Sequence, residues 1–264
     1  MRFTKMHGLG NDYVYLYCPG PIPADLPALA RRLSDRHFGI GSDGLILIFP
    51  SDKADFRMQM FNSDGSEGLM CGNGIRCVGR YVYDKALIDQ TTLTIETASG
   101  VKEITLTISD GNTVSAVTVD MGPATIEGSW ISHVGDKEIT FTPVSVGNPH
   151  AVCFVDDVTT APVKELGARF QTDPRFPHGV NVEFLQICRR DYAKMRVFER
   201  GSGETLACGT GACAAFAVAQ NLGLLEGKAT LALIGGELSL AIRPDGHILM
   251  TGNAVTVFEG DFQL

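Results

Sequence analysis

The sequence predicts an α+β fold made of two pseudo-symmetric domains, each a curved, mostly antiparallel or mixed sheet wrapped around a central helix. One observation is that many short strand-like runs alternate with only a few helical ones. The other is an internal repeat. The skeleton Phe-x5-Glu-x-Leu-x-Cys-Gly-x-Gly occurs at Phe61–Gly74 and again at Phe198–Gly211, 137 residues later in a chain of 264.

The repeat continues upstream of this skeleton. Gly10-Asn11 and Gly147-Asn148 are separated by the same 137 residues. The pattern Phe-x2-Gly-x-Asp/Asn occurs at 38–43 and again at 176–181, at an offset of 138. Several sparse matches in the same order and at nearly constant spacing indicate a duplicated unit.

In the first half, two segments have helical character. Ala24–Leu33 is amphipathic, follows Pro23 and ends near Ser34. Gly72–Lys85 carries apolar residues at helical spacing. The strand-like runs, separated by turn residues, are Phe3–His7, Tyr13–Cys18, Leu45–Phe49, Phe56–Phe61, Thr92–Thr97, Glu103–Ile108 and Val114–Met121.

The second half opens less clearly, because Gly122–Glu138 mixes turn residues with short apolar runs. A helix is predicted at Val163–Phe170. A second helix at Ala212–Leu222 is apolar nearly all round, which predicts burial on most faces. The predicted strands are Val144–Val146, Ala151–Val155, Val180–Cys188, Ala193–Phe198, Ala229–Ile234, Glu237–Ile242, His247–Met250 and Ala254–Phe258.

Composition limits the partners. The net charge of −8 argues against nucleic acid as the main partner, although local donors can still bind a small dicarboxylate. The N-terminus lacks the apolar core of a signal peptide, and no run approaches the roughly 20 apolar residues of a membrane span. We therefore expect a cytoplasmic protein with no membrane partner. Its seven cysteines are then expected to be free thiols.

Cys71 and Cys208 each precede a Gly-rich turn that opens a predicted helix. The first helical turn leaves N–H groups without internal partners, and these groups, with the helix dipole, bind anions such as carboxylates. The same position lowers a cysteine pKa. Two such helices facing one carbon would place a thiol on each side of it, which is the geometry of a two-base racemase or epimerase.

Four strings resemble diaminopimelate epimerase, and they run in order through nearly the whole chain: His7–Asp12 (HGLGND), Met70–Cys77 (MCGNGIRC), Gly147–His150 (GNPH) and Glu199–Ala212 (ERGSGETLACGTGA). The resemblance implies an enzyme that interconverts LL- and meso-diaminopimelate in lysine and cell-wall precursor synthesis. It implies no cofactor and no metal. It also implies a homodimer.

The resemblance also implies the roles of individual residues. Cys71 and Cys208 are the acid and base. The backbone at Gly72-Asn73 and at Gly209-Thr210 holds the carboxylate at the reacting carbon. Side chains that hold the rest of the substrate are Asn11, Asn62, Asn148, Asn181, Glu199 and Arg200, and those that modulate the pKa values of the thiols are His150 and Glu199.

The implied domains are residues 1–117, to which a last strand at about 253–264 returns, and residues 118–252, with the active site in the cleft between them. Three positions depart from the family pattern. Gly44 stands where one branch of the family has Gln, and Gly68 and Asn253 replace residues expected to be Glu or Val, and Pro.

An isolated cysteine is more often a buried hydrophobe than a catalyst, which is the reading kept for Cys18, Cys77, Cys153, Cys188 and Cys213. A Cys208–His150 hydrolase pair would leave Cys71 without a role. Zinc is disfavoured because the cysteine spacings lack the short chelating pattern. Three functions stay open: the diaminopimelate epimerase, a cysteine-pair isomerase resembling proline racemase, and a non-catalytic module that binds amino acids.

Overall fold

The structure is a computed structural model that describes residues 1–22, 24–134 and 137–263. Four residues lie outside the described residues: Pro23, Gly135, Asp136 and Leu264. Pro23 precedes the first predicted helix, Gly135 and Asp136 belong to the stretch Gly122–Glu138 for which no element was predicted, and Leu264 belongs to the predicted last strand at about 253–264. The fold is α+β, with many strands and few helices, so the predicted fold class is confirmed. The chain divides into two compact units, Met1–Val119 with Gly252–Leu264, and Asp120–Thr251.

Unit 1 contains two helices, α1 (Leu26–Ser34) and α2 (Gly72–Asp84). Its strands are β1 (Arg2–Gly8), β2 (Asn11–Tyr17), β3 (Gly44–Pro50), β4 (Phe56–Asn62), β5 (Glu67–Gly68), β6 (Thr92–Thr97), β7 (Gly100–Ser109), β8 (Thr113–Pro123) and β19 (Val255–Asp261). They pair in the order β19-β1-β2-β3-β4-β6-β7-β8, and β5 pairs with β4. The β2–β3 and β4–β6 pairs are parallel, and the others are antiparallel.

Unit 2 contains α3 (Val163–Phe170) and α4 (Gly209–Asn221). Its strands are β9 (Thr125–Ile126), β10 (Trp130–Val134), β11 (Lys137–Ser145), β12 (Pro149–Phe154), β13 (Asn181–Arg189), β14 (Tyr192–Glu199), β15 (Gly203–Glu204), β16 (Lys228–Leu233), β17 (Gly236–Ile242) and β18 (His247–Gly252). They pair in the order β10-β11-β12-β13-β14-β16-β17-β18, with parallel pairs at β12–β13 and β14–β16.

The two pairing orders are the same. Each unit has eight strands in line, with the third and fourth parallel and the fifth and sixth parallel. The short strands β5 and β15 pair with equivalent neighbours, β4 and β14. The repeat in the sequence is therefore a repeat in topology, and a residue in one unit can be compared with its counterpart about 137 positions away.

The helices begin where local chemistry favours it. The Asp25 side chain accepts a hydrogen bond from the Ala28 N–H at 2.9 Å, which caps α1 two residues later than predicted. In α2 and α4, a cysteine occupies the N-cap position. α4 is buried along most of its length, as its nearly continuous apolar sequence predicts.

Each unit has a hydrophobic cluster beneath its first helix. In unit 1, Leu29 and Leu33 of α1 pack with Leu45 and Leu47 of β3. In unit 2, Leu166 and Phe170 of α3 pack with residues of β12 and β13, including Phe184. These clusters fix the strands that carry the site residues described below.

The stretch that the sequence left unassigned is largely strand. β10 and the start of β11 form an antiparallel hairpin that pairs Trp130 with Phe141. These rings stack with centroids 5.8 Å apart, so tertiary packing overrides the weak local signal. Helices in the described ranges are all too short or too polar to span a bilayer.

Candidate functional site

Cys71 caps the N-terminus of α2. Its backbone is extended, with φ −129° and ψ 117°, and its Sγ accepts a hydrogen bond from the Gly74 N–H at 3.3 Å. The first i to i−4 bond of the helix runs from the Ile75 N–H to the Cys71 carbonyl oxygen at 2.9 Å. The N–H groups of Gly72 and Asn73 precede that bond, which is where a helix N-terminus binds anions.

Cys208 caps α4 with nearly identical geometry. Its φ and ψ are −122° and 112°, and its Sγ accepts from the Gly211 N–H at 3.3 Å. The Ala212 N–H bonds to the Cys208 carbonyl oxygen at 3.0 Å, so Gly209 and Thr210 occupy the anion-binding positions. Each unit therefore contains one half-site: a cysteine at a helix N-cap, followed by two backbone N–H groups of the first turn.

Asn11 of β2 lies beside the thiol of the first half-site. Its Oδ1 accepts from Cys71 Sγ at 3.2 Å and from Asn73 Nδ2 at 3.5 Å. Its Nδ2 donates to Asp43 Oδ2 at 2.9 Å, and this bond fixes the orientation of the amide. The structure thus brings together three residues that the sequence analysis assigned to the site: Asn11, Cys71 and Asn73.

Asn73 is buried and has a second function in the fold. Its Oδ1 accepts from the guanidinium of Arg76 at 2.9 Å, and Arg76 is fully buried. The same guanidinium donates to the carbonyl oxygens of Gly72, at 3.2 Å, and of Asn253, at 3.1 Å. A buried charge needs such partners, and here they hold the first turn of α2 in place.

Tyr13 is a neighbour of Cys71 that the sequence analysis missed. It lies two residues after Asn11 on the same face of β2, is 4% exposed, and its hydroxyl lies close to Asn11 and Cys71. Burial, and then the proximity of Cys71 and Asp43, raise the pKa of its hydroxyl well above the usual value. The phenol beside the sulfur is therefore neutral at physiological pH.

Asn62 does not join this cluster directly. It ends β4, and its Nδ2 donates to Ser66 Oγ at 3.0 Å within its own turn. The turn is nevertheless attached to the cluster, because the Ser63 N–H bonds to the Asp43 carbonyl oxygen at 2.9 Å. A substrate role for Asn62 stays a prediction.

Cys208 lies among acidic side chains. The Glu199 carboxyl group of β14 lies close to it, and Thr210 Oγ1 is 3.5 Å from its Sγ. Burial is the largest influence and raises the pKa of the Cys208 thiol well above its usual value; the charges of Glu199 and Glu183 raise it further. The expectation that the helix N-terminus lowers this pKa was wrong, because desolvation and two carboxyl groups outweigh the hydrogen bonds that favour the thiolate.

His150 and Asn148 of the second half-site contact one another. His150 is fully buried, and its Nε2 lies 3.0 Å from Asn148 Oδ1 while its Nδ1 lies 2.6 Å from Glu183 Oε1. Asn148 Nδ2 donates to Thr210 Oγ1 at 3.3 Å. Both ring nitrogens are therefore engaged by Asn148 and Glu183, and His150 approaches Cys208 through Asn148 and Thr210.

Asn181 and Arg200, two further residues that the sequence analysis assigned to the site, contact each other in unit 2. Asn181 Oδ1 accepts from the Arg200 backbone N–H at 2.9 Å, and its Nδ2 donates to the Pro149 carbonyl oxygen at 3.3 Å. The Arg200 guanidinium donates to the His178 carbonyl oxygen at 3.2 Å and is exposed. Asn181 therefore positions the backbone, whereas Arg200 presents a charged fork to solvent.

The chain is similar to known proteins over nearly its whole length. The family model described as diaminopimelate epimerase matches residues 3–127 and 142–257. The curated diaminopimelate epimerase of Methanococcus maripaludis is 49% identical over 278 aligned positions, covering 100% of both chains. The chain belongs to the diaminopimelate epimerase family. The family resemblance inferred from the sequence motifs is confirmed.

Solved structures share the fold at low identity. A phenazine biosynthesis protein of the PhzF family from Bacillus anthracis gives a TM-score of 0.81 at 16% identity, covering 100% of this chain and 99% of that one. A probable proline racemase from Agrobacterium radiobacter K84 gives 0.76 at 18% identity, with 100% and 93% covered. At this identity the likeness concerns the fold alone.

Within this member of the diaminopimelate epimerase family, Gly44 has a structural reason. A Cβ atom there would lie 2.1 Å from the Phe61 carbonyl oxygen and 2.7 Å from Cε1 of Tyr13. The Gln that one branch of the family has at this position would clash with the Tyr13 ring. A side chain at position 44 is therefore disfavoured beside Tyr13 and the Phe61 carbonyl oxygen.

The remaining cysteines differ in burial. Cys77, Cys153 and Cys213 are buried, as predicted for structural thiols, and Cys18 is half-buried. The same expectation was wrong for Cys188, which is exposed near the end of β13, where the strand leaves the core. Burial raises the pKa of Cys77 to about 11, which makes it a poor nucleophile.

Two functional candidates escaped the sequence analysis: Tyr13 and Glu183. The repeat contained a signal for the first, because the 137-residue offset that pairs Asn11 with Asn148 also pairs Tyr13 with His150. The repeat contained no such signal for Glu183. Its counterpart in unit 1 is the uncharged Ile46, which lies against Gly74 of α2 as Glu183 lies against Gly211 of α4. The importance of Glu183 depends on long-range contacts that no local pattern encodes.

Proposed function

We propose that this chain interconverts LL-2,6-diaminopimelate and meso-2,6-diaminopimelate without a cofactor, in lysine and peptidoglycan precursor synthesis. Membership of the diaminopimelate epimerase family supports the substrate and the reaction. We also propose, from the same resemblance, that the protein is cytoplasmic and works as a homodimer. Sedimentation at micromolar concentration tests the dimer.

The observation that carries the proposal is the duplicated half-site. Each unit places a cysteine at the N-cap of a helix, with its sulfur accepting an N–H bond at 3.3 Å and two further N–H groups in the first turn. A single such thiol could be structural. Two of them, in equivalent positions of a repeated topology, suit a reaction that needs one proton acceptor and one proton donor.

In the proposed reaction, the thiolate of one cysteine takes the α-proton and becomes a thiol. The other thiol gives its proton to the opposite face of the carbanion and becomes a thiolate, so protons and charge balance. Without an imine to spread the negative charge, the carboxylate must take up that charge as an enediolate-like group. The N–H groups at Gly72-Asn73 and Gly209-Thr210 would stabilise it, and preorganised donors of this kind are commonly the largest catalytic contribution.

The distal end of diaminopimelate is itself an amino acid, with one ammonium and one carboxylate group. Arg200 can hold a carboxylate by two parallel hydrogen bonds, and its exposed guanidinium supports this role. The amides of Asn62, Asn148 and Asn181, with Asn11 and Glu199, would supply donors and acceptors in a fixed pattern that selects one configuration. Within the structure, Asn181 holds the backbone of Arg200, which links these two roles.

A second candidate is a cysteine-pair racemase of cyclic amino acids, and it is favoured only by the fold shared with a probable proline racemase. Such an enzyme would not need Arg200 and several amides for a distal polar group. A third candidate is a catalytically silent module that binds amino acids. It would keep its function after both cysteines were replaced.

The test is to offer LL-diaminopimelate and L-proline separately in heavy water. We expect turnover of diaminopimelate only, with solvent deuterium entering the new epimer before it appears in the remaining substrate. Early label in both pools would favour a single, freely exchanging base. Turnover of proline would favour the second candidate.

Cysteine variants complete the test. Cys71→Ala and Cys208→Ala should each lower kcat by at least about 10³-fold, because each removes a proton-transfer group. Cys188→Ala is the matched control, since that thiol is exposed and should leave kcat unchanged. Normal kcat in either active-site variant would refute the two-thiol assignment. Treatment with EDTA or hydroxylamine should not inactivate a cofactor-independent enzyme.

A further inference from the structure

Glu183 is a buried carboxyl group that the proposed reaction does not use. It lies on β13, is fully buried, and its Oε1 is 2.6 Å from His150 Nδ1. Its Oε2 is buried and has no hydrogen-bond partner in the part of the chain that the structure describes. A Cβ atom on Gly211 would lie 2.7 Å from Glu183 Oε1 and 3.3 Å from Cys208 Sγ, so the carboxyl group and the sulfur both adjoin the first turn of α4.

The hydrogen bonds that lead from this carboxyl group to the thiol have a defined direction. Asn148 uses its Nδ2 to donate to Thr210 Oγ1, so its Oδ1, a pure acceptor, faces the histidine ring. His150 Nε2 must therefore carry a proton and donate. With Nε2 protonated, Nδ1 is left to share one proton with Glu183, as a neutral pair or as an ion pair.

The last bond follows from the others. Thr210 Oγ1 accepts from Asn148, so its own hydrogen is available for the Cys208 sulfur at 3.5 Å. Every donor from His150 onward then points toward Cys208; we call His150, Asn148 and Thr210 the donor chain. A donor at the sulfur stabilises the thiolate, which Cys208 must become whenever it removes the α-proton, and it counteracts the burial and the carboxyl charges that raise the pKa of this thiol.

The first half-site lacks this arrangement. Tyr13 occupies the place of His150, and Ile46 occupies the place of Glu183, with its Cδ1 2.6 Å from where a Gly74 Cβ would be. Asn11 contacts Cys71 directly, at 3.2 Å. The carboxyl–histidine pair therefore belongs to one half-site only, and a branched apolar side chain is sterically accepted at the same place in the other.

We propose that Glu183 is a positioning residue for Cys208, acting through the donor chain that begins at His150. This role rests on the proposed function, because it matters only if Cys208 transfers a proton. Without the carboxyl group, nothing fixes the protonation of His150 Nδ1. The ring could then take the tautomer with its proton on Nδ1, the Asn148 amide could turn over, and the Thr210 hydroxyl would no longer be directed at the sulfur.

The test uses two variants of the full chain. Glu183→Ile copies the side chain of the first half-site, and Glu183→Gln keeps the shape while removing the shared proton. We expect Glu183→Ile to lower kcat by at least about tenfold with little change in KM, since loss of the carboxylate behind a catalytic histidine costs up to about 10⁴-fold in the Ser-His-Asp triad. Glu183→Gln should fall between Glu183→Ile and the wild type. Glu165→Gln, an exposed carboxyl on α3, should change neither constant.

A double-variant cycle separates positioning from simple damage to the fold. Thr210→Val removes the last donor without changing shape. If Glu183 acts through the donor chain, Glu183→Ile with Thr210→Val should lose no more kcat than the worse single variant. Multiplicative losses, or an unchanged kcat and pH profile in folded Glu183→Ile, would overturn the proposal.

Proton NMR gives a readout that does not depend on turnover. A short bond between a carboxyl group and His150 Nδ1 should produce a far-downfield proton resonance in the wild type, absent from both Glu183 variants and from His150→Asn. Its absence from the wild type would overturn the proposal whatever the kinetics. If the resonance is present but the wild type does not epimerise diaminopimelate, the pair is real and the proposed function has failed.

Discussion

Asn11 contacts the Cys71 sulfur directly at 3.2 Å, whereas Asn148, its counterpart 137 residues later, reaches Cys208 through the hydroxyl of Thr210. The same scaffold thus holds two thiols in different chemical surroundings. Cys71 has amide and phenol neighbours, and Cys208 has carboxyl neighbours.

The direct Asn11 contact predicts a strong effect of its removal. Asn11→Ala should lower kcat/KM by roughly 10²-fold, because the thiol loses its orienting acceptor and the Asp43 carboxylate loses a donor. Steady-state kinetics with LL-diaminopimelate measure it. Asn221→Ala, at the exposed end of α4, is the control and should behave like the wild type. Equal kcat/KM values for both variants would contradict a role for Asn11.

Much of the fold was predictable because local signals and global topology agree. The helix α3 was predicted at its observed bounds, Val163–Phe170, since its apolar spacing and its flanking turns coincide. By contrast, β10 was not predicted. The preceding sequence contains Gly122 and Gly128, which weaken a strand pattern, and the packing of Trp130 against Phe141 and Phe170 exists only in the folded chain. The two-residue strands β5 and β15 are too short for any periodicity.

The candidate site, too, was only partly predictable from the sequence. Cys71 and Cys208 could be proposed from the sequence because a cysteine followed by glycines at the start of a helix is a local pattern. The internal repeat strengthened the hypothesis, because the pattern occurs at equivalent positions in both halves. The pKa direction at Cys208 was not predictable, because it depends on burial and on Glu199 and Glu183, which come from two other strands. The sequence analysis named the two cysteines and Glu199, which raises the pKa of Cys208, and it missed Glu183 and Tyr13.

Gly44 predicts a stability effect that a sequence comparison alone would not suggest. Gly44→Gln should destabilise the protein by about 2–4 kcal/mol, since its Cβ would lie 2.1 Å from a backbone oxygen and its side chain would displace the Tyr13 ring. Urea unfolding measures the loss. Gly20→Ala is the control, because among the described residues no atom beyond its own chain neighbours lies within 4 Å of its Cβ position. A free energy of unfolding within about 0.5 kcal/mol of wild type would show that the strand shifts freely.

Asp12 predicts a stability that depends on pH. It lies 2.7 Å from the Nζ of Lys5, which is 6% exposed, and it also binds Arg36. Burial alone would raise its pKa, but the hydrogen bonds and charges of Arg36 and Lys5 outweigh burial and lower it. Because the pKa is lower in the folded state, Asp12 stabilises the fold above the unfolded pKa of about 4, and this contribution is lost as pH falls through the folded pKa.

Asp12→Asn should therefore cost about 2–3 kcal/mol near pH 7, where it leaves Lys5 buried without its partner. The difference from wild type should shrink steadily as the pH falls below about 4. Chemical unfolding at several pH values measures this, with the exposed Asp89→Asn as the control. A difference that is constant with pH would mean that the charge of Asp12 is not what stabilises the fold.

The raised pKa of Cys208 predicts its reactivity toward thiol reagents. Burial, then the negative charges of Glu199 and Glu183, disfavour the thiolate, so modification by a small methanethiosulfonate should be slow at pH 7 and should accelerate as the pH rises above the usual thiol value of about 8.5. Glu199→Gln removes one of those charges. It should lower the pKa of Cys208 and speed its modification at a fixed pH of about 8.

Mass spectrometry of the modified peptides measures this rate, and exposed Cys188 in the same molecule provides an internal reference. An acceptor beside the thiol stabilises its protonated form, so loss of the Glu199 carboxylate and loss of its charge act in the same direction, and both lower the pKa of Cys208. Slower or unchanged modification of Cys208 in Glu199→Gln, with Cys188 unchanged, would contradict this prediction.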